Sequence, residues 1–218
     1  MRVRVTEPLN YFKEPWYIEW LMREVSVAFK DIGDIEKAKK FALSKIKKAS
    51  DDGLDIGTRV DELIKTDTAP SQKDSIEVVT AWNAYGKWRA IYQPKSIIIG
   101  TRQYATINGA EVTGEPDLFV DDVLVDVKCA SKISQNYWVQ VNMYRVLPHY
   151  PMAPILHKSK VGILRLDKIT GSYEYVVKDY DPNLVNVWLG LLRAYLYYKG
   201  VDSGGDELRE VGSVEKVA

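Results

Sequence analysis

The stretch Gly114-Glu-Pro-Asp-Leu-Phe-Val-Asp-Asp-Val-Leu-Val-Asp-Val-Lys128 carries the deciding pattern. Apolar residues lie on both sides of Asp121-Asp122, a pair of turn formers, so the reading is a hairpin of strands Val112 to Val120 and Val123 to Val127. Asp126 is out of place in it. It interrupts a strand otherwise apolar on both faces, the mark of a strand covered on both sides. Folding the hairpin about its turn sets Asp117 opposite Asp126, within about one residue pair. Like charges in that position destabilise, and a buried unpaired carboxylate is costly. A divalent cation removes both problems, and hard oxygen donors suit Mg²⁺ or Mn²⁺. Lys128 lies two residues beyond Asp126 and so shares its face. Two carboxylates and a lysine on one face can hold a metal and a phosphate, and can position or deprotonate a water. That is the equipment for phosphodiester hydrolysis. A surface hairpin with an Asp–Lys pair would present the same three residues without chemistry.

Working outward, the chain before this hairpin is helical. Trp16, Trp20, Val25 and Phe29 recur at helical spacing from Pro15 to Lys30. A second helix is expected over Asp31 to Ser50, stopping at Asp51-Asp52-Gly53, and a short third one after Gly57. A fourth covers Ser75 to Tyr92 and ends at Gln93-Pro94. Beyond Pro94 the period changes. Ser96 to Gly100 reads as a strand, Gln135 to Leu147 as a helix, and Val161 to Leu166 with Tyr173 to Val177 as two strands joined through Thr170-Gly171-Ser172. Asn183 to Tyr198 is an amphipathic closing helix after Asp181-Pro182, and residues 201–218 read as a frayed tail. The order predicts an α+β fold with a central mixed sheet flanked by helices, in one domain over residues 1–200: a mainly helical part, 1–94, and a sheet-containing part, 95–200.

Composition narrows the function. Lys plus Arg number 30 and Asp plus Glu number 30, so the net charge excludes a globally basic nucleic-acid coat or an acidic disordered tail. Distribution still matters: residues 1–50 hold 11 basic and 7 acidic side chains, residues 111–150 hold 3 and 6. The single cysteine, Cys129, cannot form an internal disulfide, a multi-cysteine zinc site or a four-cysteine iron–sulfur cluster. No apolar run approaches the roughly 20 residues that cross a bilayer, and the first residues lack the pattern of a signal peptide. The expectation is a cytoplasmic protein.

Pro116-Asp117 followed by Asp126-Val127-Lys128 resembles the signature of the PD-(D/E)XK nuclease superfamily. Gln140-Val-Asn-Met-Tyr144 fits the glutamine-x-x-x-tyrosine motif of its RecB-like exonuclease branch, on a helix where i and i+4 share a face. Gly57-Thr-Arg-Val-Asp61 is similar to that branch's glycine-x-x-x-histidine helix, with Asp61 at the histidine position. The resemblance spans residues 56–144 and implies a restriction-endonuclease-like core and a metal-dependent DNA nuclease, exonuclease-like on ends or single strands. Asp117 and Asp126 would then be metal ligands, with the main-chain carbonyl of Val127 as another and Asp61 as a further one. Lys128 would orient the attacking water and offset charge on the phosphate; Gln140 and Tyr144 would align the substrate strand. The implied cofactor is Mg²⁺ or Mn²⁺, with no iron–sulfur cluster. The implied partner is DNA and not a membrane, and a homo-oligomer is compatible with it. The implied setting is recombination, repair or viral DNA processing, in the host cytoplasm if viral. Asp61 is favoured over its neighbour Glu62: relative to the apolar face of Val60, Leu63 and Ile64 it lies roughly 110° away, against roughly 150°.

Three other features carry an ordinary reading beside a sharper one. Residues 37–48 hold six lysines and no acid. Lys37, Lys40, Lys45, Lys47 and Lys48 share an arc of about 160° opposite Ala42, Leu43 and Ile46. This is a solvated helix face or, functionally, a DNA phosphate track through Lys40, Lys47 and Lys48. Trp82, Tyr85, Trp88, Arg89 and Tyr92 form a stripe that is ordinarily core, or else stacks on unpaired bases. Cys129 is expected on the face opposite Lys128 as a small core residue, and His149 and His157 have no metal-ligand partner at useful spacing. If the lysine face binds DNA, replacing Lys40, Lys47 and Lys48 with Gln should flatten the salt dependence of binding by about one unit of slope per lost contact. Titrations at several salt concentrations measure it, and an unchanged slope leaves an ordinary solvated face.

Overall fold

The structure is a computed structural model that describes residues 1–11, 15–149 and 159–201. The expected tail beyond residue 201 and His157 lie outside these residues, as do the side chains of Trp16 and His149. The chain opens with strand β1 (Arg2–Arg4) and helices α1 (Thr6–Tyr11), α2 (Pro15–Ile32), α3 (Ile35–Thr66) and α4 (Ile76–Tyr92). Strands β2 (Ile97–Ile99), β3 (Gln103–Ile107), β4 (Ala110–Gly114), β5 (Leu118–Val120) and β6 (Val123–Lys128) follow. Helix α5 (Gln135–Val146) runs into a three-ten turn, and β7 (Lys160–Leu166), β8 (Tyr173–Asp179) and α6 (Pro182–Tyr198) complete the order. Among the described residues no helix is long and apolar enough to cross a membrane.

The central sheet is mixed and five-stranded, in the order β2-β5-β6-β7-β8, with β6 and β7 parallel and the other pairs antiparallel. Side chains alternate across it. Leu124, Val161 and Ile163 pack toward α5 and α6 with Met143, Trp188 and Leu192. Leu118, Val125, Leu164 and Leu166 pack on the other side with Val60 and Leu63 of α3 and Tyr85 and Trp88 of α4. Helices therefore cover both faces. The aromatic stripe of α4 is mainly core: Tyr85 and Trp88 are buried and Trp82 half-buried, while Arg89 is exposed and Tyr92 reaches solvent stacked on Trp88.

Several expectations need correction. The second and third helices are one, α3, which runs unbroken through Asp51-Asp52-Gly53. Asp34 caps its start by accepting from the backbone N–H groups of Glu36 and Lys37. Its two ends are each held by packing, with Ala38, Ala42 and Ile46 buried at one and Val60, Leu63 and Ile64 at the other. Between anchored ends Gly53 and Gly57 cost only about 1 kcal/mol each, less than a new nucleus. On that helix Leu43, expected on the apolar side, is exposed, and Lys45 pairs with Glu24 of α2 at 2.9 Å.

The expected strand Val112 to Val120 is two strands in two sheets. β4 belongs to a small sheet, β1-β4-β3, and β5 to the central one. Pro116 between them has no N–H to continue a ladder. The hairpin of β3 and β4, turning through Asn108 and Gly109 at φ 49° and 74°, was not anticipated, although Asn-Gly is a strong hairpin signal. β1 was also missed; three residues are too few to show a period, and it forms only by pairing in parallel with β4.

The junction between the sheets is tight. Gly100 donates its N–H to the Asp117 carbonyl at 3.0 Å, and a Cβ at Gly100 would lie 2.0 Å from the Pro116 carbonyl oxygen. Gly100→Ala should therefore destabilise the protein by about 1–3 kcal/mol through forced backbone displacement. Urea denaturation would measure this, and a wild-type midpoint would show that the junction yields freely.

Candidate active site

Strand alternation puts Leu124, Asp126 and Lys128 on the α5 face of β6, and the ladder brings Asp117 to the end of β5 next to it. Pairing of β5 with β6 ends at Leu118 and Val125, so Asp117 and Asp126 come next in register. Asp117 Oδ2 accepts from the backbone N–H of Val127 at 2.7 Å, which leaves the Val127 N–H satisfied by a side chain instead of a strand.

Asp126 is fully buried. Its Oδ1 accepts from Lys128 Nζ at 2.9 Å and from Gln140 Nε2 at 3.1 Å. Lys128 Nζ also lies 2.8 Å from Oδ2, so the ammonium forms an ion pair with both oxygens of the carboxylate, the contact to Oδ2 falling outside hydrogen-bond geometry. Gln140 Nε2 donates onward to Tyr144 Oη at 2.9 Å. Gln140 and Tyr144 lie one turn apart on α5, and both are buried. Residues 117, 126, 128, 140 and 144 thus form one contiguous polar group.

Charge and burial compete here. Burial, reinforced by the negative charge of Asp126, pushes the Asp117 carboxyl up to about 7. Burial also raises Asp126, while Lys128 pulls it back. Burial works against the ammonium of Lys128, but Asp126 and Asp117 outweigh it and hold the lysine above its usual range. Lys128 is therefore a cation at neutral pH, suited to supplying charge and orienting a water. Burial pushes the Cys129 thiol up to about 11, so it is neutral. Cys129 is half-buried beside the α3-side core, as a small packing residue would be.

A cleft of about 440 Å³ opens between α3 and the end of β6, lined in part by Gly57, Thr58, Asp61, Asp117, Lys128 and Tyr137. Asp61 faces this cleft, whereas Glu62 pairs outward with Arg59. Asp61 is itself paired with Lys65 at 2.9 Å, Lys65 with Glu115 at 3.0 Å, and Glu115 with Arg102 at 3.0 Å. Sequence reasoning missed Lys65, Glu115, Arg102 and Tyr137. Lys65 had a signal, its i+4 relation to Asp61. Tyr137, whose ring centre is 5.4 Å from Lys128 Nζ, had none. Lys40, Lys47 and Lys48 are exposed on α3, outside the lining of this cleft.

Among the described residues no three His, Cys, Asp or Glu side chains converge closely enough to hold a metal by themselves. Two carboxylates do meet, Asp117 and Asp126, with one ammonium, Lys128, between them. That donor set fits a hard divalent cation completed by main-chain carbonyl and water oxygens.

No protein-family model matches the chain, and no curated protein sequence does. Among solved structures it is similar to an alkaline exonuclease from Laribacter hongkongensis, with 15% identity and a TM-score of 0.40 over 55% of this chain and 64% of that one. The match spans less than two thirds of the Laribacter protein. SSO0001 matches over 91% of this chain and 76% of its own, with 10% identity and a TM-score of 0.43. An inferred exonuclease from Eubacterium rectale matches over 76% of each chain, with 15% identity and a TM-score of 0.46. These are likenesses of chain path and assign no role to any residue.

The raised carboxyl has a thermodynamic consequence. Asp117 moves from an ordinary 3.8 to about 7 on folding, so the folded state binds the extra proton between these values. Its contribution to stability is full below about 3.8 and is lost as pH rises through about 7. In metal-free buffer, Tm of the wild type relative to Asp117→Asn should fall between pH 5 and 8. Parallel Tm profiles for the two proteins would contradict the shift.

Proposed function

We propose that this protein is a metal-dependent deoxyribonuclease that hydrolyses phosphodiester bonds, exonuclease-like on DNA ends or single strands, in recombination, repair or viral DNA processing. The observation that supports it most is the pair of buried carboxylates, Asp126 and Asp117, sharing the single ammonium of Lys128 at the wall of an open cleft. A purely structural hairpin has no use for such an arrangement, because each buried carboxylate costs free energy.

Asp117, Asp126 and the Val127 carbonyl would hold Mg²⁺ or Mn²⁺, and Asp61 would join them on giving up Lys65. When bound, the cation offsets the carboxylate charge and the charge that builds on the phosphate. The chain's own groups do the rest. Lys128, held as a cation, orients water and attracts the developing negative charge. The water oxygen bonds to phosphorus, the bond to the leaving oxygen breaks, and a proton ends on that oxygen. Gln140 fixes Asp126 through one N–H and Tyr144 through the other, keeping the carboxylate aimed while the tyrosine borders the strand.

End-labelled linear and circular DNA, single- and double-stranded, incubated with Mg²⁺, Mn²⁺ or EDTA, tests the proposal. Cleavage of linear DNA that EDTA stops is the expected result. Binding without cleavage in any metal would make the protein a DNA-binding module instead. Asp126→Asn should abolish cleavage while binding survives. Lys128→Ala should lower turnover by about two or more orders of magnitude with little change in affinity. Wild-type turnover in Asp126→Asn would rule out this site.

A further inference from the structure

A second cavity lies beyond Tyr144, on the small sheet. Its volume is about 340 Å³, room for a nucleotide-sized group more than for a lone ion. Arg2, Arg4, Arg102, Tyr104, Thr113 and Tyr144 line it. One rung of the sheet builds its floor: Arg4 pairs in register with Thr113, and Thr113 with Tyr104. Directly paired residues project to one side of a sheet, and the preceding rung residues Val3 and Val112 point the other way into the core.

The chemistry of the pocket is unsatisfied. Thr113 is only 7% exposed, yet its hydroxyl has no hydrogen-bond partner. Arg2 is paired with Glu111 and Arg102 with Glu115, but Arg4 has no ion-pair partner among the described residues. Guanidinium and hydroxyl donors converging on one space are the ordinary means of binding phosphate oxygens. Tyr104 is 54% exposed and offers a ring on which a base can stack.

The pocket is also joined to the candidate active site. Tyr144 forms part of its wall and is tied through Gln140 to Asp126. Gly114 makes this wall thin, since a Cβ there would lie 2.6 Å from the Tyr144 ring. Glu115 links Arg102 on one side to Lys65, the partner of Asp61, on the other. Gly114 lines this pocket and Asp117 the catalytic cleft, and three residues of chain hold them within about 10 Å.

We infer that the pocket beyond Tyr144 binds a backbone phosphate of the substrate strand, near the phosphate being cut, and stacks the adjoining base on Tyr104. This rests on the nuclease reading above. A backbone phosphate suits the pocket better than a chain end because its rim is open: the Arg2 and Arg102 side chains are 69% and 60% exposed, leaving a strand room to continue.

The test is steady-state cleavage of single-stranded oligonucleotides bearing a 5′-phosphate or a 5′-hydroxyl, by wild type, Arg4→Gln, Tyr104→Ala and Arg193→Gln. Arg193 is an exposed arginine of α6 outside the pocket and controls for net charge. Arg4→Gln should raise KM on the order of tenfold for both kinds of end and reduce the salt slope by about 0.7, the value for one single-strand phosphate contact. Tyr104→Ala should also raise KM, and Arg193→Gln should not. A KM increase confined to 5′-phosphate substrates would overturn the backbone assignment in favour of an end-binding pocket. Wild-type KM in Arg4→Gln, or an equal rise in Arg193→Gln, would overturn the pocket itself. If the wild type cleaves no DNA in any metal, it is the nuclease reading that has failed.

Discussion

The carboxylate of Asp126 inside the central sheet is the interaction around which the site is organised. An ionised carboxylate at that depth is tolerated only if other groups offset its desolvation. Lys128 supplies the charge from the same strand, and Gln140 supplies a neutral donor from the helix packed above. Each of those partners is placed in turn by ordinary packing: Lys128 by strand alternation, Gln140 by the burial of Trp138, Val141 and Met143 around it on α5. Asp117 adds a second acid beside the first, with only Lys128 to offset the two. The group is balanced in charge less well than it is packed, which is the usual condition of a site waiting for a ligand.

The second constraint is the junction at residues 100 and 114–117. Pro116 ends one sheet and releases Asp117 into the next, and Gly100 and Gly114 let backbone and the Tyr144 ring approach. The same few residues therefore separate the two sheets, position the Asp117 carboxylate and divide the cleft beside α3 from the arginine-lined pocket. The ion-pair ladder Asp61–Lys65–Glu115–Arg102 crosses this junction on the surface. Such partly exposed pairs contribute little to stability singly, but they fix where Asp61 points.

Much of the central sheet was legible in the sequence. Continuous apolar runs on either side of Asp121-Asp122, the helix caps at Ser75 and Asp181, and the Thr170-Gly171-Ser172 turn are local signals, and local chemistry enforces them. The small sheet was less legible. β1 has three residues and exists because β4 offers it an edge, and the Asn108-Gly109 turn was overlooked although its chemistry is explicit. The continuity of α3 was unreadable for a different reason: Asp51-Asp52-Gly53 is a local break signal that packing at the two distant ends of the helix overrides.

For the site, the sequence by itself determined which residues are anomalous. A charge within an apolar strand, a lysine two positions on, and a glutamine and tyrosine one helical turn apart follow from one-dimensional spacing, because strand and helix periods are fixed by backbone geometry. Only the tertiary structure decided that these residues touch, that Gln140 bridges Asp126 and Tyr144, and that Asp61 faces the cleft while held by Lys65. It alone also brought Arg4, Thr113 and Tyr104 onto one rung. The bond of Gln140 to Asp126, the approach of α3 to β6 and the pairing of Arg4 with Thr113 join separate segments, and which segments meet is set by the burial of the whole apolar surface, a property no local window contains.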